Sequence, residues 1–221
     1  MTSGSPRSAE SSRLERVAVS EEALQGIDAH LRQREITRDE LFQRARRLRR
    51  LAQGTMTRLH EGADVSSGLA EVARELSALS QSLRSEARGE DSIAHDAVQE
   101  SVEALLLGAV VRGEPLPGPR ELEVESEPYL QGLGDLVGEV RRLALTRLSS
   151  GDLERAEGYL ALMERLYHSL MRFDTTRAIV ALKPKQDTAR SLLERTRGEV
   201  TMARVLERAR IPGRSTSAEE R

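Results

Sequence analysis

From residue 24 to residue 59 one register recurs at alternating intervals of three and four: Leu24, Ile27, Leu31, Arg34, Arg38, Leu41, Ala45, Leu48, Ala52, Thr55 and Leu59. That spacing places the series on one face of an α-helix. Ser20 supplies a capping oxygen just ahead of it, and Glu21 and Glu22 lie where the positive helix end favours acids. About forty residues at 1.5 Å each make a rod of roughly 60 Å. Such a rod outruns a compact domain of 221 residues, so part of its seam is expected to contact another subunit. Two shorter helices broken near Thr37 are the alternative.

The remaining segments are also helical. Residues 65–88 repeat the pattern with Leu69, Val72, Ala73, Leu76, Leu79 and Leu83, and a break follows at Arg88-Gly89-Glu90-Asp91. A helix then runs to about Arg112, and residues 113–126, with three of the seven prolines, read as an extended loop. Pro128 suits the first position of the next helix, on which Leu130, Leu133, Val137, Val140 and Ala144 form one stripe and Asp135, Glu139 and Arg142 another. Gly151 stops it and Asp152 can cap its successor, which turns Ala156, Tyr159, Met163, Leu166, Leu170 and Phe173 inward. After an irregular connection over 174–184, a last helix spans about 185–208, with Ala189, Leu192, Leu193, Val200 and Ala203 inward. No repeat is present, and the unequal lengths predict a single all-α bundle of six to seven helices over 19–208. Residues 1–18 and 209–221, polar and poor in large apolar groups, are expected to be a disordered N-terminal and a mobile C-terminal tail.

Composition removes several functions. Lys and Arg total 34 against 36 Asp and Glu, a net charge of −2, so nucleic acid could be attracted only by local patches. Aromatic residues make up 2% and Trp is absent, too few to hold single strands mainly by stacking. Without cysteine there are no disulfides or thiolate zinc sites, which agrees with a cytoplasmic setting. No apolar run approaches a membrane span. Phosphate-binding loops, nucleophile elbows and H-E-x-x-H are missing, and His30, His60, His95 and His168 show no paired ligand spacing.

What remains is acid chemistry. Glu100 and Glu103 share a face of a segment that is apolar nearly all round from Val102 to Val111, so they are expected to point into protein or a cleft, where a carboxylate needs a partner. If this helix and the next pack antiparallel, the two glutamates oppose Asp135 and Glu139, and four hard oxygen donors suit Mg²⁺. In a chain that is 32% charged, such pairs also arise on solvated faces as surface salt bridges, which Glu139 could make with Arg142. His60, in the last turn of the long helix, fits a contact with the terminal carbonyls better than a metal. The arginines at 44, 46, 47, 49 and 50 are spread around their helix and read as a solvated or salt-bridged face before an RNA contact.

The motif Q-E-S-V-E-A at 99–104, followed by Y-L-Q-G-L-G-D-L-V-G-E-V-R-R at 129–142, resembles the translin family, in its translin-associated factor X branch. So do R-A-R-R-L-R-R-L-A-Q-G-T-M-T-R-L-H at 44–60, M-R-F-D at 171–174 and K-Q-D-T-A-R-S-L-L-E-R-T-R-G-E-V-T at 185–201. The resemblance implies a translin-like helical bundle, assembly into a hollow homo-oligomer such as a hexamer or octamer, and cleavage of single-stranded RNA within it. It also implies that Glu100, Glu103 and Asp135 are catalytic and, with Glu139, hold Mg²⁺ or Mn²⁺. Arg142 is the first candidate for phosphate contact, with Arg190 and Arg197 behind it. Ser101 and Pro128 depart from the family pattern, which commonly has Tyr and Asp there. The compact, single-type subunit is similar to archaeal members that need no separate translin partner. The alternative is a shell that binds single-stranded RNA or DNA without cutting it, and a purely structural scaffold is a third reading.

Overall fold

The structure is a computed structural model that describes residues 20–86, 91–174 and 180–210. The expected N-terminal tail, the break at 88–90 and residues 211–221 of the C-terminal tail lie outside the described residues. Among those described, six helices and no strands occur: α1 Glu21–His60, α2 Ser66–Glu86, α3 Asp91–Arg112, α4 Ser126–Ser149, α5 Leu153–Leu170 and α6 Lys183–Arg210.

α1 is a single helix of 40 residues, so the break near Thr37 does not occur. The Ser20 side chain accepts from the Ala23 N–H at 3.2 Å, and Gly62, at φ 76°, takes the left-handed conformation that turns the chain beyond the far end. The two halves of the rod meet different surroundings. Leu41, Ala45, Leu48, Ala52, Thr55 and Leu59 are buried against α2 and α3, whereas Leu24, Ile27 and Leu31 are about half exposed. The seam outruns its own bundle over those first residues, as its length requires.

α3 is enclosed on all sides, every residue from Ser101 to Ala109 being buried. It packs against α1, α2 and α4, and α4 packs in turn on α5 and α6. α3 and α4 do not run antiparallel as the sequence reading supposed. His95 meets Gln131 and Gln99 meets Asp135, two contacts in the same sense, so the helices run parallel. Residues 113–125 make this possible. Extended at ~3.3 Å each they span about 43 Å, enough to return along a 22-residue helix of about 33 Å. Ser77 donates to the Glu123 carboxylate and Arg84 to its backbone carbonyl, at 2.9 Å, fastening the return against α2.

Smaller corrections follow from local geometry. α4 begins at Ser126, so Pro128 is its third residue; its missing N–H still falls among the first four, which lack a helical partner. α6 begins at Lys183 and reaches Arg210, two residues beyond each expected end. Phe173 lies past the end of α5 and is exposed. Asp152 caps α5 through the Arg155 N–H, at 3.2 Å, as its position after Gly151 suggests. α5 and α6 are antiparallel and are stitched at seven-residue steps: Arg190 to the Tyr167 hydroxyl, Arg197 to Glu164 and Arg204 to Glu157. No described helix is long and apolar enough to cross a membrane.

Candidate functional site

The four acids singled out in the sequence come together around Glu103. Two glycines on α4 set the spacing. A Cβ on Gly132 would lie 2.8 Å from the Gln99 carbonyl oxygen and 2.9 Å from Val102, so only glycine lets α3 and α4 approach this closely. A Cβ on Gly134 would lie 2.9 Å from the Lys185 Cβ, so the start of α6 is drawn in beside Asp135.

Each of three acids meets a nitrogen donor from a neighbouring helix. Arg49 Nε of α1 lies 2.7 Å from Glu100 Oε1. His60 Nε2, at the end of α1, bonds Glu139 Oε2. Lys185 Nζ of α6 lies 2.5 Å from Asp135 Oδ1, while the Gln99 amide donates to Oδ2 at 2.5 Å. Glu103, only 9% exposed, has no basic partner of this kind among the described residues. Burial raises its carboxyl from 4.5 to about 8, the charges of Asp135, Glu139 and Glu100 push in the same direction, and Lys185 opposes them. The outer oxygen of the first glutamate, Glu100 Oε2, is buried with no hydrogen-bond partner.

An unsatisfied buried carboxylate oxygen beside three further acids is the donor chemistry that a hard divalent cation satisfies. In the present side-chain arrangement no three His, Asp or Glu groups among the described residues converge as a ligand set. Arg49, His60 and Lys185 each hold one of the acids instead. Glu100, Glu103, Asp135 and Glu139 fit such an ion if those contacts give way.

The flanking residues are placed as follows. Arg142 is exposed on α4, close to one turn beyond Glu139. Arg190 and Arg197 face α5, where Tyr167 and Glu164 engage them. His95 Nε2 stands 3.3 Å from Gln131 Oε1. His60 contacts Glu139, not the helix-end carbonyls that its position suggested. Ser101 is fully buried and donates to the Ala97 carbonyl at 2.6 Å, so the residue between the two glutamates turns back onto its own helix.

Sequence reasoning did not assign Arg49, Gln99 or Lys185 to the site. Gln99 and Lys185 open two of the quoted motifs, and Arg49 sits in the basic run, but only the packing of α1 on α3, α3 on α4 and α6 on α4 shows that they face the acids.

A helical bundle with an acidic centre of this kind defines a class, and comparison with known proteins identifies it. The translin family model matches residues 37–197, most of the chain, and the protein belongs to that family. Its fold is also that of solved C3PO proteins. The crystal structure of AfC3PO aligns at 31% identity and a TM-score of 0.77 over 86% of this chain and 100% of that one. A structure described as an AfC3PO–duplex RNA complex aligns at 31% identity and 0.73 over the same shares. Apo-NeC3PO, at 21% identity, a TM-score of 0.77 and coverage of 84% and 100%, shares the fold. An uncharacterized protein of Methanocaldococcus jannaschii is 39% identical over 103 residues, which span 46% of each chain.

Proposed function

We propose that the protein is a metal-dependent endoribonuclease that cleaves single-stranded RNA inside a homo-oligomer of its own subunits. The observation that carries this reading is the gathering of Glu100, Asp135 and Glu139 around a buried Glu103, with Glu100 Oε2 left without a partner. A set of acids that disfavours its own ionisation is poorly explained by stability, because apolar residues of similar size would cost less to bury. The complex of AfC3PO with duplex RNA supports an RNA ligand, and the half-exposed apolar stripe of Leu24, Ile27 and Leu31 supports self-association.

Glu100, Glu103, Asp135 and Glu139 would hold Mg²⁺ or Mn²⁺, and such an ion supplies an activated water and neutralises charge developing on the scissile phosphate. The chain prepares the rest. Gly132 and Gly134 bring three helices close enough for their side chains to meet. Before an ion enters, Gln99 and Lys185 hold the two oxygens of the Asp135 carboxylate. Arg49 and His60 hold Glu100 and Glu139 in the same way, and the ion would take the place of the basic partners. Arg142, exposed on the same helix one turn beyond Glu139, would contact the RNA backbone. A second reading, a shell that binds RNA or DNA without cutting, is favoured by the absence of a converged ligand trio among the described residues.

The test incubates the purified full chain with labelled single-stranded and duplex RNA in Mn²⁺ or Mg²⁺, in EDTA, and with Glu103→Gln beside wild type. Cleavage of the single strand abolished by EDTA and by Glu103→Gln, with oligomer size unchanged, is the expected result. Intact RNA in every lane together with a metal-independent mobility shift would leave the binding shell.

A further inference from the structure

We propose that Lys185 is an exchangeable occupant of the acidic site: its ammonium holds Asp135 in place of a divalent cation and, once displaced, binds a phosphate oxygen of the RNA. The inference rests on the metal reading above and gives Lys185 a role beyond pairing with Asp135.

The geometry fixes where this cation stands. The stem of Lys185 packs against Gly134, whose added Cβ would meet the Cβ, Cγ and Cδ of Lys185 at 2.9, 3.3 and 3.6 Å. Its Nζ reaches Asp135 Oδ1 at 2.5 Å and feels the charge of Glu103, which it partly offsets. Its side chain is 29% exposed and that of Asp135 27%, so the pair is open to solvent on one side. Lys183, one of the two lysines in the chain, points elsewhere and pairs with Asp187 at 3.2 Å.

The choice of residue carries the rest of the argument. Of 34 basic residues only Lys183 and Lys185 are lysine, and nearly every other ion pair in the bundle uses arginine. Arg141, for instance, grips both oxygens of Glu199 at 2.7 and 2.8 Å. A planar guanidinium locks a carboxylate with two parallel bonds, whereas an ammonium is a point charge on a flexible stem that holds one oxygen and leaves two N–H donors over. At Asp135 a lock would exclude a divalent cation, while an ammonium yields to one. The freed ammonium then stands at the open side of the site, where a backbone phosphate would approach.

The test titrates Mn²⁺ calorimetrically into the full chain without RNA, comparing wild type with Lys185→Met, Lys185→Gln and Lys185→Arg. Affinity for a labelled single-stranded RNA is then measured in Ca²⁺. Removing the competing charge in Lys185→Met and Lys185→Gln is expected to tighten Mn²⁺ binding on the order of tenfold and to weaken RNA binding by a similar factor. Lys185→Arg should bind Mn²⁺ more weakly than wild type. A residue that merely braces α6 against α4 would not tighten metal binding on removal. Mn²⁺ affinity unchanged or lowered in both neutral variants overturns the proposal. Wild type that binds Mn²⁺ but cleaves no RNA ends the nuclease reading and leaves Lys185 to be judged by the same affinity ratio; no Mn²⁺ bound by any variant ends both.

Discussion

Replacing Gly132 by alanine should separate the contribution of helix approach from every other effect of a methyl group. The added Cβ would lie 2.8 Å from the Gln99 carbonyl oxygen, 2.9 Å from Val102 Cγ1 and 3.1 Å from its Cβ. A backbone carbonyl in the middle of a buried helix cannot move aside, so α3 and α4 must part. Overpacking of this kind costs about 1–3 kcal/mol. Alanine also favours helix over glycine by about 1 kcal/mol, which would mask part of the loss. Gly138→Ala supplies the reference, since it gains the same propensity on the same helix and its Cβ would meet only Leu192 Cδ1, at 3.8 Å. The difference between the two variants is therefore the contact alone. For a chain of this size 1 kcal/mol moves Tm by about 2–4 °C, so Gly132→Ala should melt roughly 5 °C below Gly138→Ala. Thermal unfolding followed by circular dichroism in EDTA, at one protein concentration so that assembly does not shift Tm, makes the comparison. Two variants melting within a degree of each other would refute the claim that Gly132 sets the α3–α4 distance.

Glu103→Gln should stabilise the metal-free protein above neutral pH. Its folded carboxyl, at about 8, lies above the unfolded value of 4.5, so the stability it contributes is complete below 4.5 and is lost as pH rises through about 8. The advantage of the variant over wild type, read from denaturant unfolding in EDTA, should grow from near zero at pH 5 to a few kcal/mol at pH 8.5, and an advantage that is constant with pH would count against the burial argument. Arg197→Ala should leave RNA affinity within about twofold of wild type and cost no more than ~1 kcal/mol of stability, because this arginine braces Glu164 in a pair that is largely exposed. A large loss of RNA binding would show that the α5–α6 face contacts the ligand.

The elements were legible because each rests on local chemistry: the three-four spacing of α1, the Ser20 and Asp152 caps, the glycine stop at 151. The pairing of Glu100 with Glu103 and of Asp135 with Glu139 on their helix faces was legible too, since i,i+3 and i,i+4 spacing fixes which side chains share a face, but spacing alone fitted surface salt bridges as well and the family resemblance pointed to a site. Direction was not legible. Adjacent helices joined by a short loop pack antiparallel, but the stretch after Gly113 is long enough to return, and nothing local in P-L-P-G-P states that it lies along α2. With that reversal unknown, the partners of the acids could not be found. Gln99 meets Asp135 only when α3 and α4 run the same way, and Lys185 reaches the same carboxylate only because α6 also runs parallel to α4, as Arg141 meeting both Thr196 and Glu199 shows. Arg190 and Arg197 illustrate the converse. They stood behind Arg142 as candidates for phosphate contact, while their seven-residue spacing with Arg204 marks the seam toward α5.

The charges of the site explain why it is built with one acid too many. Glu100, Asp135 and Glu139 each meet one basic side chain, and these come from α1 and α6, on the two flanks of the α3–α4 pair. Glu103 stands between them without one, and its carboxyl, pushed up to about 8, holds a proton at neutral pH. Glu103 therefore adds no net charge at rest. A divalent cation entering the cluster would meet Glu103 as the acid that must lose a proton and the others as acids that must exchange a partner. In the proposed metal site, binding would then depend on pH through Glu103 and on competition through Lys185. Apolar residues in these positions would give a more stable bundle, but one without the charge-paired core from which the proposed cation site would open.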